Sequence, residues 1–171
     1  VCTVVLASSI WINPVAKGVP EITKSETMQQ IRDLVKEDPK AIWLVADMAY
    51  PATNIPAMAG ADCLNTTQTY PQKTRWEMLD PEGEYEDIYN RYCHIRASLG
   101  SKTMLELVST DYVEVTLSPE DLKKLNIRYI VSTNDFDERI AVGTTNIFTD
   151  SGIELQKYYE GAQLSIYRCV Y

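Results

Sequence analysis

The chain has few of the residues that carry the common catalytic and metal-binding chemistries. Its 171 residues include one histidine and four cysteines, and no two cysteines have a CxxC or other metal-ligand spacing, so a zinc site is not expected. GxSxG, GxGxxG and P-loop motifs are also missing, which leaves serine-hydrolase and nucleotide-binding chemistry without support from motifs. The cysteines are expected to be buried free thiols, and a disulfide between Cys2 and Cys169 is the alternative outside the cytoplasm.

Positive charge is also scarce. The chain has 16 Lys and Arg against 24 Asp and Glu, a net charge of −8, and a pI near 4.7. Nucleic-acid phosphates and anionic lipid head groups are bound by clustered Lys and Arg, so neither nucleic acid nor an anionic membrane surface is a predicted partner. The acidic residues are spread along the chain, which is typical of a solvated surface.

Long hydrophobic runs are missing too. No run approaches the ~20 apolar residues that a membrane helix needs, and the longest runs, 4–7 and 41–46, have the length of strands. The hydrophobic content of 45% in 171 residues is enough for one globular core. The chain opens and closes in strand-like sequence (1–6 and 164–171), so residues 1–171 are expected to form a single domain cut from a longer polypeptide.

The order of predicted elements favours an α/β or α+β fold. A strand over 1–12, a helix that starts at a Thr23/Glu26 capping box and ends at Asp38-Pro39, and a buried strand over 41–46 form a βαβ-like opening. Further strands are predicted over 93–97, 103–109, 112–117, 127–132 and 164–171, with helices over 55–59, 84–92 and 119–125 and within 149–159. We expect a single compact domain with a mixed central sheet, helices packed on it and a long, mostly irregular Pro-rich loop over 47–81.

The segment 76–95 combines aromatic rings with polar groups. It holds Trp76, an Asp-Pro turn, several tyrosines and His94, the one histidine. Such a surface can bind sugars or other polar organic ligands. His94 is expected to be a structural or ligand-contacting residue, because no nucleophile or orienting partner is evident. The acids between Asp80 and Asp87 are expected to be solvated at a helix start rather than to form a glycosidase pair.

The same segment carries a family resemblance. Tyr70-Pro71, Trp76, Leu79-Asp80-Pro81-x-Gly83-x-Tyr85-Glu86 and Tyr89-Asn90-Arg91-Tyr92-x-His94-Ile95 together resemble a pattern in the C-terminal extracytoplasmic domain of large multi-pass bacterial membrane proteins. These proteins resemble polytopic glycosyltransferases that build cell-wall polysaccharides from lipid-linked sugars. Segments 41–46, 56–61, 125–132 and 164–168 are similar to the family in patches, whereas Cys93 stands where the pattern has a small residue.

The resemblance implies an extracytoplasmic accessory domain of a cell-envelope glycosyltransferase, held at the cell membrane. The family's catalytic acid would lie in the membrane portion, so this domain alone is not expected to be catalytic or to need a cofactor or metal. Its expected partners are the transmembrane portion of the same polypeptide and a glycan or lipid-linked sugar. The residues expected to bind the ligand are Tyr70, Trp76, Asp80, Tyr89, Asn90, Arg91 and His94.

Three alternatives remain open from the sequence. The seven residues above can instead form a polar cluster that satisfies itself and holds the long loop in place. The protein can also be a free-standing soluble hydrolase that uses His94 with a carboxylate. The third alternative is a purely structural interaction module, which a large apolar patch near both termini would favour.

Overall fold

The structure is a computed structural model that describes residues 23–48, 51–133, 136, 148 and 151–171. The strands in this part of the chain are β1 (Ile42–Ala46), β2 (Asp62–Cys63), β3 (Thr67–Gln68), β4 (Cys93–Leu99), β5 (Met104–Ser109), β6 (Tyr112–Leu117), β7 (Ile127–Ser132), β8 (Glu154–Glu160) and β9 (Ser165–Val170). The helices are α1 (Glu26–Glu37), α2 (Ile55–Met58), α3 (Lys73–Leu79), α4 (Glu86–Tyr89) and α5 (Pro119–Lys124), with a 3-10 turn over Ala52–Asn54.

All of these strands belong to one mixed sheet, in the order β5-β6-β4-β1-β7-β9-β8. The four central strands β6, β4, β1 and β7 run parallel to one another, and β5, β9 and β8 are added antiparallel at the two sides. The two-residue strands β2 and β3 pair with β1 and β4. The prediction of one compact α+β domain with a mixed central sheet is therefore confirmed.

The central strand β1 is covered on both faces, as its uninterrupted apolar sequence predicts. Trp43 and Val45 lie in the core that α1 covers, together with Ile31 of that helix. Leu44 and Ala46 point to the opposite face and belong to the larger core. Successive side chains of a strand alternate between faces, so a strand between two cores must be apolar throughout.

Helix α1 lies where the hydrophobic spacing predicts it, but its cap differs. Ser25 is the N-cap, and its hydroxyl accepts a hydrogen bond from the Met28 backbone N–H at 3.2 Å. The predicted Thr23/Glu26 capping box is therefore wrong by two residues. The helix ends at Asp38, before Pro39, as predicted, because a residue that precedes proline is disfavoured in the helical conformation.

Two sequence predictions of local structure are wrong. A short helix was expected within 149–159, but residues Glu154–Glu160 form edge strand β8, which pairs antiparallel with β9. Exposed and half-buried residues alternate along β8, which is the period of a strand. Helix α3 (Lys73–Leu79) lies in the loop that was expected to be irregular outside 55–59. It packs Trp76 into the larger core, and this tertiary contact outweighs the weak local pattern.

The other elements predicted within the described residues are present, with one shortened. A helix was predicted over 84–92, and the observed helix α4 covers only Glu86–Tyr89 before strand β4 begins at Cys93. Helix α5 begins as predicted, with Ser118 accepting a hydrogen bond from the Asp121 backbone N–H.

Cys63, Cys93 and Cys169 are buried free thiols, as expected. The Cys2–Cys169 alternative stays a prediction, because Cys2 lies outside the described residues.

One predicted element falls on another part of the chain. The strand predicted over 1–12, which includes Cys2, lies outside the described residues. Among the helices that the structure describes, none combines the length and the apolar character needed to cross a membrane.

Candidate functional site

A short segment, residues 62–68, inserts between the central strands β1 and β4. Its first part pairs with β1 and its last part, β3, pairs with β4. Between them, the Asn65 side-chain amide accepts from the Val45 backbone N–H at 2.8 Å and donates to the Val45 carbonyl at 2.7 Å. The amide thereby takes the place of a neighbouring strand, and the segment brings Thr67 opposite His94.

Some of the aromatic residues in segment 76–95 are buried. Trp76 and Tyr89 are 2% and 3% exposed, and their rings stack on each other. Gln68, which is also buried, holds this pair in place. Its Oε1 accepts from the Trp76 indole N–H at 2.8 Å, and its Nε2 donates to the Tyr89 carbonyl at 2.7 Å and the Arg91 carbonyl at 3.0 Å.

Asp80 has a structural role in the Asp-Pro turn. Its side chain is buried, and its two carboxylate oxygens accept hydrogen bonds from the backbone N–H groups of Glu84 at 2.9 Å and Tyr85 at 2.8 Å. A carboxylate that accepts from two backbone N–H groups fixes the conformation of the turn. Asp80 thus orients the chain that leads into α4.

Asn90 and Arg91 hold the end of the same segment. The Asn90 backbone N–H donates to the Glu86 carbonyl at 2.9 Å and caps α4. The Arg91 guanidinium donates to the Asp87 carbonyl and, at 3.4 Å, to the Thr110 carbonyl. These bonds join the segment to the loop between β5 and β6.

A polar cavity of about 250 Å³ opens beside this cluster. It lies between the inserted segment and α3, and Tyr70, 84% exposed, stands at it. Hydroxyls, side-chain amides and one guanidinium make up its polar surface, with Trp76 and a few aliphatic side chains beneath. The residues that line it are Cys63, Leu64, Thr66, Thr67, Gln68, Thr69, Tyr70, Gln72, Arg75, Trp76 and Ile95.

Arg75 is the charged residue of this cavity. Its side chain is 17% exposed, and its Nη2 forms an ion pair with the Asp62 carboxylate. Its Nη1 is buried and has no hydrogen-bond partner. A buried N–H group without an acceptor is unfavourable, so this nitrogen is a ready donor for an added acceptor.

His94 lies next to the cavity through Thr67. The Thr67 hydroxyl is 3.0 Å from His94 Nδ1. On the other side, the Tyr92 ring packs edge-on against the imidazole, with its hydroxyl 3.5 Å from Nε2. The imidazole thus contacts hydroxyls at both ring nitrogens, and it can orient the Thr67 hydroxyl that lines the cavity.

Cys63, which also lines the cavity, is not a nucleophile. Burial, assisted by the nearby Asp62 carboxylate, raises the pKa of its thiol to about 12, although Arg75 lowers it slightly. At neutral pH the group is therefore a neutral thiol, and only the thiolate reacts readily.

A larger cavity, of about 450 Å³, lies at the carboxyl ends of β4 and β6. Its lining includes the Asp121 carboxylate, which accepts hydrogen bonds from the Ser118 and Thr103 hydroxyls. Ser118 in turn caps α5. The Asp121 carboxylate therefore has a structural role at the start of α5, and we place the candidate site at the smaller cavity.

The structure separates the seven residues predicted to bind a ligand. Trp76, Asp80, Tyr89, Asn90 and Arg91 hold the segment together, which matches the alternative of a self-satisfied polar cluster. Tyr70 lines the cavity and His94 lies one residue away from it.

Sequence reasoning missed three residues that shape the site, Thr67, Gln68 and Arg75. Arg75 directly precedes Trp76 in the chain, which was a usable signal, but a lone arginine usually indicates a solvated surface. Nothing in the sequence indicated that Gln68 would be buried.

Comparisons with known proteins give one result. Residues 21–171 match the family model described as a domain of unknown function, DUF7654. Searches of curated proteins and of solved structures each find no match. Because the match covers most of the chain, the protein belongs to this DUF7654 family.

Proposed function

We propose that this is a non-catalytic accessory domain on the extracytoplasmic side of a polytopic bacterial membrane protein, a glycosyltransferase of cell-envelope polysaccharide synthesis. In this proposal the domain binds a sugar of the glycan at the polar cavity beside Tyr70. The observation that carries the binding role is the composition of that cavity, in which hydroxyls and amides surround an arginine next to an exposed aromatic ring.

The lining of the cavity suits a sugar. Sugar hydroxyls both donate and accept hydrogen bonds, and the side chains of Thr66, Thr67, Thr69 and Gln72 can do the same. The exposed ring of Tyr70 offers an apolar face on which the C–H side of a sugar can pack. Protein sites for small molecules generally combine an apolar floor with a few fixed polar groups.

The cavity favours binding over catalysis. Among the described residues that line it, none is an acid or a histidine, and its thiol is protonated at neutral pH. General acid–base catalysis needs a group that exchanges protons near the working pH. His94, on which the hydrolase alternative depends, contacts the hydroxyls of Thr67 and Tyr92.

The membrane location rests on the sequence resemblance described above. It is tested in the parent protein by reading the full gene upstream of Val1 for hydrophobic spans and by protease accessibility in intact cells. A parent protein with many such spans and an accessible domain would support the proposal. A gene that encodes only these residues, with the product in the cytosol, would contradict it.

The binding role is tested by NMR titration of the isotope-labelled domain with oligosaccharides and by glycan-array binding. Wild type is expected to bind, with signal changes in residues 66–72. Tyr70→Ala is expected to weaken binding by up to about tenfold, because one aromatic contact is lost. Tyr158→Ala, which removes another exposed tyrosine on edge strand β8, is the control and should bind as wild type. Failure of wild type to bind any glycan would refute the binding role.

A further inference from the structure

We propose that the sugar bound in the cavity is acidic and that Arg75 binds its carboxylate or phosphate group. This inference deepens the proposed function and rests on it. It arises from one juxtaposition. Arg75 has a buried guanidinium nitrogen without a hydrogen-bond partner, and the same residue lines a cavity that is otherwise lined by neutral side chains.

The Arg75 guanidinium is held in place from one side. Its Nη2 is paired with Asp62, which anchors the group to strand β2. Its Nη1 has no acceptor, and a charged donor left unpaired in the interior is costly. Because Nη1 is closed to solvent, an acid reaches it only if the side chains around it move.

An acidic oxygen is the acceptor that best completes this arrangement. Arginine binds carboxylates and phosphates through paired N–H groups at a fixed spacing. The remaining oxygens of the acid would accept from neutral donors of the lining, which include the Thr66 and Thr69 hydroxyls and the Gln72 amide.

The positive charge of Arg75 contrasts with the net negative charge of the chain. The chain has a net charge of −8 and repels anions in general. Among the described residues, Arg75 is the one formally charged side chain that lines this cavity. Because Asp62 already offsets part of its charge, binding is expected to be modest in strength and to weaken with added salt.

Four ligands separate the possible outcomes. The domain is titrated with a glucose oligomer, with a glucuronic acid oligomer of the same length, with glucose and with glucose 1-phosphate. The inference predicts that at least one acidic ligand binds roughly tenfold more tightly than its neutral counterpart, which is the glucose oligomer for the uronate and glucose for the phosphate. The uronate and phosphate titrations show which acid the cavity accepts.

Variants assign the effect to Arg75. Arg75→Gln is expected to remove the preference for the acid while leaving the neutral oligomer within about twofold of wild type. Lys73→Gln removes a charge from the same helix, where Lys73 pairs with Glu86 outside the cavity lining, and should keep the preference. Asp62→Asn removes the negative charge beside Arg75 but keeps a side-chain oxygen that can accept from Nη2 and hold the guanidinium in place. It should therefore retain or strengthen acid binding, and it tests the inference even if Arg75→Gln folds poorly.

The outcomes distinguish the two proposals. If neither acidic ligand binds more tightly than its neutral counterpart, the acidic-sugar inference is overturned and the binding role stands. If acid binding survives Arg75→Gln or is lost in Asp62→Asn with the fold intact, Arg75 is not the binding group. If no ligand binds to wild type, both proposals fall.

Discussion

The ring of Trp76 stacks on the ring of Tyr89, with centroids 5.3 Å apart and planes inclined by 10°. Gln68 bonds to both residues, through the Trp76 indole N–H and the Tyr89 carbonyl. Trp76 and Tyr89 therefore form the buried side of segment 76–95, whereas Tyr70, which precedes this segment in the chain, is exposed at the surface. This arrangement divides the aromatic residues into a structural group and an exposed group, and the two should respond differently to substitution.

Trp76→Ala is expected to destabilise the domain by about 3–5 kcal/mol, because it removes a large buried ring and leaves a cavity. The Gln68 amide oxygen also loses its donor. Urea denaturation followed by circular dichroism measures the change. Tyr70→Ala, an exposed aromatic of the same loop, is the control and should stay within about 0.5 kcal/mol of wild type. If Trp76→Ala lowers the free energy of unfolding no more than Tyr70→Ala does, the stack does not stabilise the fold.

Asp80→Ala is expected to lower the free energy of unfolding by about 1–3 kcal/mol, because the backbone N–H groups of Glu84 and Tyr85 lose their shared acceptor. The same urea titration measures it, and the amide signals of residues 81–86 should shift. Glu82→Ala, an exposed acid in the same turn, serves as the control and should have little effect. If Asp80→Ala leaves the free energy of unfolding unchanged, the turn keeps its conformation without this carboxylate.

Asn65→Ala is expected to destabilise the domain by at least about 1–3 kcal/mol, since the Val45 N–H and carbonyl both lose their partners inside the sheet. Hydrogen exchange of the Val45 amide should accelerate. Asn90→Ala, at an exposed amide, is the matched control.

Because Asn65 is fully buried, the Asn-Thr-Thr triplet at 65–67 should also remain unglycosylated in the folded protein.

The three described thiols are expected to react slowly with a thiol reagent at pH 8 in the folded protein. All three are buried, and burial raises the pKa of Cys63 and of Cys169 to about 12 and also raises the pKa of Cys93. A Cys2→Ser variant restricts the measurement to these three. Labelling should become fast and complete in concentrated urea. Rapid labelling without urea would contradict the buried positions.

The same thiols predict a loss of stability at alkaline pH. The pKa of Cys63 and Cys169 rises on folding from about 9.0 to about 12, so above pH 9 the unfolded chain releases protons that the folded chain keeps. The thiol contribution is complete below pH 9 and is lost progressively as the pH rises towards 12. Urea midpoints between pH 8 and 11 should therefore fall less steeply in Cys63→Ala than in wild type. All other groups are the same in both proteins, so their contributions cancel in the comparison.

Local sequence was sufficient where the signal was strong. The apolar run at 41–46, the periodic residues of α1 and the Ser118-Pro119 helix start each gave an element close to the observed one. Helix α3 and strand β8 were missed because contacts outside each segment decide its structure. Trp76 enters the larger core, and β8 completes its hydrogen bonds on β9.

For the candidate site, the sequence determined that Tyr70, Trp76, Tyr89 and His94 would belong to one region, since the motif keeps them within 25 residues of chain. It could not determine which of them face inward, because burial depends on what packs against the segment. Only the tertiary structure decided this, by inserting residues 62–68 between β1 and β4 and so placing Gln68 beneath the aromatic pair and Arg75 beside Asp62. Hydrogen bonds between such distant parts of the chain exist only after the sheet has assembled, and no local pattern encodes them.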